Sequence, residues 1–388
     1  MSVRAVEAAA PVRSALWPRL TRSRGLITAI VVFLALLLVV DAVNTAPLSY
    51  FDVSFLASGG APLAIAAFGQ TLVILTGGFD LSAGAALSLI NAVLAASMSP
   101  ANPEASIVLW TLAGVGIGMA VGAFNGLFIA FLRLQPIVVT LSTMFIVQGV
   151  TLLVMDKPGG FVAPSLGSFY LGDAVPNRLP MPIVLLLALV GFWLWLKNTR
   201  FGTAMYAVGS DADAAVATGV RVVLVRFGVY VLAGGFYGLG GVFISAQTGS
   251  GDPLVGNPLL LSIFAAVVVG GTRLGGGRGG PIGSIVGAYI LMIVVNILLV
   301  LNVSAYYSSI AEGLILLLAV LASSVSRDST LASQIRGGLV NLAAWRKGML
   351  PRQIGGGDRR LVVRGLSEGT SSPFSGASWF TRHSQTLR

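Results

Sequence analysis

Few side chains in this sequence are equipped for chemistry, and their types exclude more than they suggest. There is no cysteine and a single histidine, His383. A thiolate or imidazole nucleophile, a disulfide and a Cys/His metal site therefore lack their donors. None of the lysines, Lys157, Lys197 and Lys347, stands in a G-x-x-x-x-G-K-[ST] loop, so the chain has no Walker-type nucleotide site of its own. The glycine-rich "GGTRLGGGRGG" at 270–280 has no strand pattern before it and no Lys-Ser/Thr after it. It reads as a tight turn, with Pro281 at the first position of the next helix. What remains is a carboxylate in an apolar run, Asp80 within "TLVILTGGFDLSAGAALSL" (71–89). Asp80 follows Gly77-Gly78 and precedes a helical pattern, with Ser82 and Gly84 close behind. There a carboxylate can cap free backbone N–H groups and meet the positive end of the helix dipole. Capping is the expected role of Asp80, with direct contact with a substrate or a gate as the alternative; Ser82 beside it is a structural or gate candidate. Arg273 in "GGTRL" (270–274) matches the place of Asp80 in "GGFDL" (77–81), which makes the two a candidate charge pair.

The elements that must position these residues are apolar helices. Of 388 residues 55% are hydrophobic and only 10% charged, far from the make-up of a soluble domain. A helix that crosses a bilayer needs about 20 apolar residues, because every backbone polar group must be satisfied within the segment. The sequence predicts helices at 26–43, 55–76, 81–98, 106–132, 136–155, 181–196, 224–246, 259–271, 281–301 and 308–325. The expected fold is an all-α, polytopic transmembrane bundle of about ten spans, in which 55–76 and 81–98 could form one broken or re-entrant unit. Helix interiors are nearly free of ionisable groups, which argues against an ion-coupled transporter. They carry glycine instead: Gly114, Gly118, Gly122 and Gly126 recur every four residues, as do Gly279, Gly283 and Gly287. Such ridges let helices approach closely in lipid.

Charge sets the orientation. With ten alternating helices and the N-terminus inside, 22 of the 24 Lys and Arg fall in inside segments, and only Lys157 and Arg178 fall outside. Both termini are expected to be cytoplasmic. The formal net charge of +10 then answers to anionic lipid and the insertion machinery and not to nucleic acid. Domains follow: a basic N-terminus at 1–25 ahead of an uncleaved first helix, a membrane domain at 26–326, and a tail at 327–388. The first part of that tail could lie on the membrane as a basic amphipathic helix; the rest, rich in Gly, Ser and Arg, is expected to be disordered.

The longest segment between predicted spans, "KNTRFGTAMYAVGSDADAAVATGVRVVLVR" (197–226), is too long for a turn. Ser210 with Asp213 forms a capping-box variant and Gly219 suits a C-terminal stop, which defines a helix of about two turns. So short a helix is marginal in water and is expected to dock against something.

At this segment the sequence resembles the permease subunits of ribose and other simple-sugar ABC importers, within the family of branched-chain amino acid/ribose binding-protein-dependent permeases. The resemblance runs from about Ser54 to Val325. It is carried by "GGFDLSAGA" (77–85), "NGLFIAFLRLQPIVVTLSTM" (125–144), "TRFGTAMYAVGSDADAAVATGV" (199–220) and "GGTRLGGGRGGPIGSIVGA" (270–288). It implies a type II-like importer permease in a bacterial inner membrane, working as a homodimer. Its partners would be cytoplasmic ABC ATPase subunits, where ATP is hydrolysed, and an extracytoplasmic sugar-binding protein. This chain would hold no cofactor and catalyse no reaction. The expected cargo is a monosaccharide, with a nucleoside or another small polar solute behind it. A channel or facilitator would need no docking element, and an intramembrane enzyme would need a nucleophile or metal cluster that is missing here. Asn91, Asn125, Thr140, Ser142, Thr143 and Gln148 are candidate path groups, supplying hydroxyls and amides without charge, or else bridges between helices. Tyr206, Gly209, Ser210, Asp213, Ala215 and Gly219 are the candidate ATPase-coupling residues. In that scheme Ala212, Ala215 and Val216 give the short helix a small apolar face, and a turn at Gly209 sets its angle.

Overall fold

The computed structural model describes residues 24–43, 49–102, 104 and 106–300, with five isolated positions between 307 and 317. The basic N-terminal segment, the tail from 327 and nearly all of the expected span 308–325 lie outside the described residues. Among the described residues the fold is all-α apart from one short ribbon. Helices α1 (Arg24–Val43), α2 (Tyr50–Leu75), α3 (Ala83–Ser97) and α4 (Ile107–Gly126) are followed by a π-helical segment, Leu127–Phe131. Then come α5 (Pro136–Val154), α6 (Pro164–Leu171), the antiparallel ribbon β1 (Asp173–Val175) and β2 (Leu179–Pro180), and α7 (Met181–Lys197). The chain continues through α8 (Arg200–Ser210), α9 (Ala212–Ala217), α10 (Val222–Thr248), α11 (Leu259–Val269) and α12 (Pro281–Val300).

Helix α2 starts at Tyr50, five residues before its expected start, because Ser49 and Asp52 close a capping box. Asp52 N–H donates to Ser49 Oγ at 3.3 Å, and Ser49 N–H donates to Asp52 Oδ2 at 2.8 Å. From Ala57 onward α2 is almost wholly buried at the centre of the bundle. It is rich in Ala and Gly, so neighbours seat against its backbone: the places a Cβ would take at Gly59 and Gly60 are filled by Met292 and Tyr289 of α12.

Helix α10 is the other axis of the core. It packs along α4, α2 and α3, and its glycines face those of α4. A Cβ on Gly118 would lie 2.1 Å from Gly234 O, one on Gly122 2.1 Å from Tyr230 O, and one on Gly238 2.5 Å from Gly114 O. The two backbones are therefore in contact, which only glycine permits and which dispersion rewards in the absence of a hydrophobic drive between helices. The ridge at Gly283 and Gly287 does the same for α12 against α11, where Cβ atoms would fall 2.0 and 2.1 Å from Gly270 O and Ala266 O.

Six of the described helices are long and apolar enough to cross a membrane, and α7 with α8, bent by 77°, would make a seventh. The expected count of about ten does not follow from length and composition. Helices α3 and α11 have 15 and 11 residues, and at 1.5 Å per residue the latter reaches only about half of a 30 Å hydrocarbon core. The expected helix 106–132 changes its winding at Leu127. Helices α6 and α8 and the ribbon had no counterpart in the expected elements.

The connections gather at the two ends of the bundle. At one end the 76–82 loop, the 132–135 turn, α8, α9 and the 270–280 turn meet, and Gly277 N–H donates to Leu75 O at 3.0 Å. Arg133, Lys197, Arg200, Arg221, Arg226, Arg273 and Arg278 belong to this end. At the other end Phe161 N–H reaches Ala95 O at 2.9 Å, Gly159 and Gly251 pair across a bridge, and Tyr50 Oη donates to Asp173 Oδ1. That bond holds the exposed Asp173 carboxyl below its ordinary pKa.

Candidate functional site

The loop carrying Asp80 is set by how α2 stops. Gly77 takes φ +78°, Gly77 N–H donates to Ile74 O at 2.9 Å and Gly78 N–H to Val73 O at 3.1 Å, the paired bonds of a Schellman motif. Tyr230 of α10 then fixes the next residue by donating its hydroxyl to Phe79 O at 3.0 Å. Asp80 follows, 1% exposed. Its Oδ1 accepts from Ser82 N–H at 2.9 Å, Ser82 Oγ at 2.6 Å and Asn125 Nδ2 at 3.4 Å, while Asn125 Nδ2 also donates to Ser82 Oγ at 2.8 Å. Ser82 is the N-cap of α3 and its own hydroxyl caps no backbone group. The carboxylate thus orders the turn into α3 and ties it to α4 through Asn125. Asp80 Oδ2 and Asn125 Oδ1 are buried without a partner. Among the described residues Asp80 makes no ion pair: Arg273 sits in the 270–280 turn, where its N–H donates to Arg278 O at 3.1 Å.

The candidate path residues do not converge on one space. Asn91 bridges α3 to the far end of α10, donating to Ser245 Oγ at 3.0 Å and Ser250 O at 3.1 Å and accepting from Asp252 N–H at 2.7 Å. Gln148 donates to Pro253 O at 3.0 Å in the same loop. Asn125 belongs to the Asp80 cluster at the opposite end. Thr140 donates to Pro136 O of its own helix at 2.9 Å and reaches Phe79 O of the Asp80 loop at 3.5 Å, Ser142 donates to Val138 O at 2.9 Å on the exposed face of α5, and Thr143 is buried with Oγ1 unpartnered. Four of the six, Asn91, Asn125, Thr140 and Gln148, therefore join elements. The structure adds a pair that the sequence did not single out, Gln70 with Tyr237: both are buried, Tyr237 Oη donates to Gln70 Oε1 at 2.6 Å, and Gln70 Nε2 has no partner. Its signal was available as the lone amide in "APLAIAAFGQTLVIL" (61–75).

The 197–226 segment forms two helices instead of one. Thr199 caps α8 by accepting from Gly202 N–H at 3.1 Å, so "RFGTAMYAVGS" is helical throughout. Tyr206 Oη donates to Gly279 O at 2.7 Å, fastening α8 to the 270–280 turn. Gly209 stands inside α8 and not at a turn; a Cβ there would lie 1.8 Å from Leu75 O. Ser210 ends α8, its hydroxyl bonded to Tyr206 O, and the N-cap of α9 is Asp211, whose Oδ1 accepts from Asp213 and Ala214 N–H at 3.0 Å each. Asx capping by the residue next to Ser210 won because Ser210 was already committed to the preceding helix. Gly219, at φ +84°, closes α9 in a Schellman motif, with Val220 N–H on Ala215 O at 3.0 Å and Gly219 N–H on Val216 O at 2.9 Å. Ala215 is 3% exposed and faces the chain's own core, whereas Val216 is 60% exposed. Of Ala212, Ala215 and Val216, the residue that α9 exposes most is therefore Val216.

Between α9, the start of α10 and the 129–136 segment lies a cavity of about 500 Å³. Thr76, Gly77, Arg133, Gln135, Asp213, Arg226 and Tyr230 contribute to its lining. Among the described residues no group of acidic residues and His could hold a metal ion.

Comparison with known proteins places the chain in a family. Residues 52–320 match the family described as "Branched-chain amino acid transport system / permease component". The chain is 36% identical over 289 residues to the ribose import permease protein RbsC of Bacillus subtilis (strain 168), covering 74% of this chain and 88% of the relative. It is 35% identical over 297 residues to RbsC of Escherichia coli (strain K12), covering 74% and 91%. It is 34% identical over 320 residues to the galactose/methyl galactoside import permease protein MglC of Escherichia coli (strain K12), covering 76% and 93%. No solved structure matches the chain. The chain belongs to the branched-chain amino acid transport system / permease component family and is an all-α-class, multi-pass membrane transport permease.

Proposed function

We propose that this chain is the permease subunit of an ATP-dependent importer of a monosaccharide, driven by ABC ATPase subunits and supplied by an extracytoplasmic sugar-binding protein. The observation that carries the cargo is its 34–36% identity, over about three quarters of its length, to permeases named for ribose and for galactose or methyl galactoside import. The chemistry of the interior supports a neutral solute. Among the described residues, the buried polar side chains other than Asp80 are neutral amides and hydroxyls, and a fixed charge along a low-dielectric route would hold an ion.

Work has to enter from another chain, because this one has no nucleotide-binding loop, and an alternating path needs a partner whose contacts differ between its states. The segment α8–α9 is the proposed receiver. Its helix α8 is wedged against the C-terminal end of α2 and the 270–280 turn, and α9 packs on α8 and α10, so a push on α9 would pass through them into the bundle as a rigid displacement. The end that carries α9 and the basic turns would face the cytoplasm, by the positive-inside preference. A homodimer in the bacterial inner membrane completes the proposal.

Uptake of labelled ribose and galactose by cells with and without the chain tests the cargo. Uptake that depends on the chain and is competed by pentoses or hexoses is expected. Uptake competed by branched-chain or acidic amino acids, and not by sugars, would favour the cargo in the family's description and refute the monosaccharide.

A further inference from the structure

The cavity beside α9 has a chemistry that passage of a neutral sugar does not call for. Its lining includes two basic residues, Arg133 and Arg226, against one acidic residue, Asp213. Among the described residues neither arginine side chain makes an ion pair or a hydrogen bond, although Arg226 is half-buried. A cation partly withdrawn from water without a counter-charge is costly unless something supplies one. Arg133 is also held at φ +55°, the left-handed region, two residues after the end of the π-helical segment 127–131. Non-glycine residues at positive φ and π-helical turns both recur where a backbone is shaped around a function.

We propose that this cavity binds an anion bearing a phosphate group, held between Arg133 and Arg226. Guanidinium forks match phosphate oxygens in pairs, and Thr76 and Gln135 add neutral polar groups to the lining. The volume of about 500 Å³ falls within the usual range for small-molecule sites and exceeds the needs of bare phosphate. It has room for the phosphate ester of a sugar-sized molecule or for the headgroup of an anionic lipid. The shared chemistry is the phosphate. Because Asp213 and Val216 of α9 share the wall with Arg226 of α10, an occupant would join the two helices. On the coupling proposal above it would resist movement of α9; the binding itself does not depend on that proposal.

The test uses the purified full chain in phosphatidylcholine vesicles, and its readout is the thermal unfolding midpoint. One arm adds inorganic phosphate against sodium chloride of matched ionic strength; the other adds phosphatidylglycerol to the vesicles. A ligand that binds only the folded state raises the midpoint by mass action. A rise with phosphate assigns a soluble ester, and a rise only with phosphatidylglycerol assigns a lipid headgroup. Arg133→Gln and Arg226→Gln should each weaken the apparent affinity about tenfold, as loss of a charge-assisted bond would. Asp213→Asn, at an exposed position, should tighten it by removing the carboxylate from the wall. No rise in either arm, or a rise that survives both arginine substitutions, overturns the site. If Arg226→Gln does not fold, Asp213→Asn decides, and unchanged or weaker binding counts against the proposal. Sugar uptake measured on the same variants keeps the two proposals apart, since intact uptake without an anion effect removes this site alone.

Discussion

Asp80 shows at the residue scale why a carboxylate is tolerated in an apolar run: one of its oxygens collects three donors, and for two of them, Ser82 N–H and Ser82 Oγ, it is the acceptor that the turn supplies. Asp80→Asn keeps that acceptor and is expected to retain folded protein and most transport. Asp80→Leu leaves Ser82 N–H and Ser82 Oγ without their acceptor, at about 1–3 kcal/mol for each group left unsatisfied, and should lose folded protein. Yield in the membrane and monodispersity after extraction measure the difference. A well-folded Asp80→Asn variant without transport would instead make the carboxylate a gate. Arg273 enters at the same scale as a negative result: its place in "GGTRL" echoes that of Asp80, yet the folded chain gives the two separate partners.

Packing between elements rests on glycine faces whose direction only the helix periodicity reveals. Gly116 and Gly118 lie two residues apart on α4, but a Cβ on Gly118 meets Gly234 O at 2.1 Å and one on Gly116 meets nothing within 4 Å. Gly118→Ala should destabilise the α4–α10 contact by about 1–3 kcal/mol, while Gly116→Ala should be neutral or slightly stabilising. Comparing the two unfolding midpoints checks this with one helix as its own control, and equal effects would mean that the helices do not meet as described. For α9, Val216→Glu places a charge on the exposed apolar position without disturbing the buried Ala215. If α9 receives the ATPase, the variant should stay folded and lose uptake through weaker docking. Normal uptake with the ATPase still bound would remove α9 from that role and leave the 270–280 turn as the next candidate.

For the whole molecule the testable quantity is sidedness. The chain has no cysteine, so single cysteines can be introduced without background. Ser168→Cys on α6 should label from outside the cell and Asp213→Cys on α9 only from inside, because the basic turns gather at the α9 end. The reverse pattern would overturn the orientation, and with it the assignment of α9 to an ATPase. The short helices α3 and α11 belong to this scale too, because neither can cross a full bilayer alone and each depends on the longer helices around it.

The sequence alone determined the class of fold, because an apolar run long enough to span is a local, additive property that no tertiary contact is needed to read. It also marked the glycine ridges of α4 and α12, since a period of four residues puts them on one face whatever lies opposite. Resemblance in four short motifs reached the permease family for the same reason, as each motif is contiguous. What the folded chain decided is partnership across long separations. Asn91 meets Ser250, and Gln70 meets Tyr237, across more than 150 positions, and no local pattern tells a hydroxyl or amide that lines a path from one that bridges two helices. The same holds for Ala215 and Val216: adjacent small apolar residues on a six-residue helix are indistinguishable in sequence, and only the surface on which α9 lies turned one inward and left the other exposed.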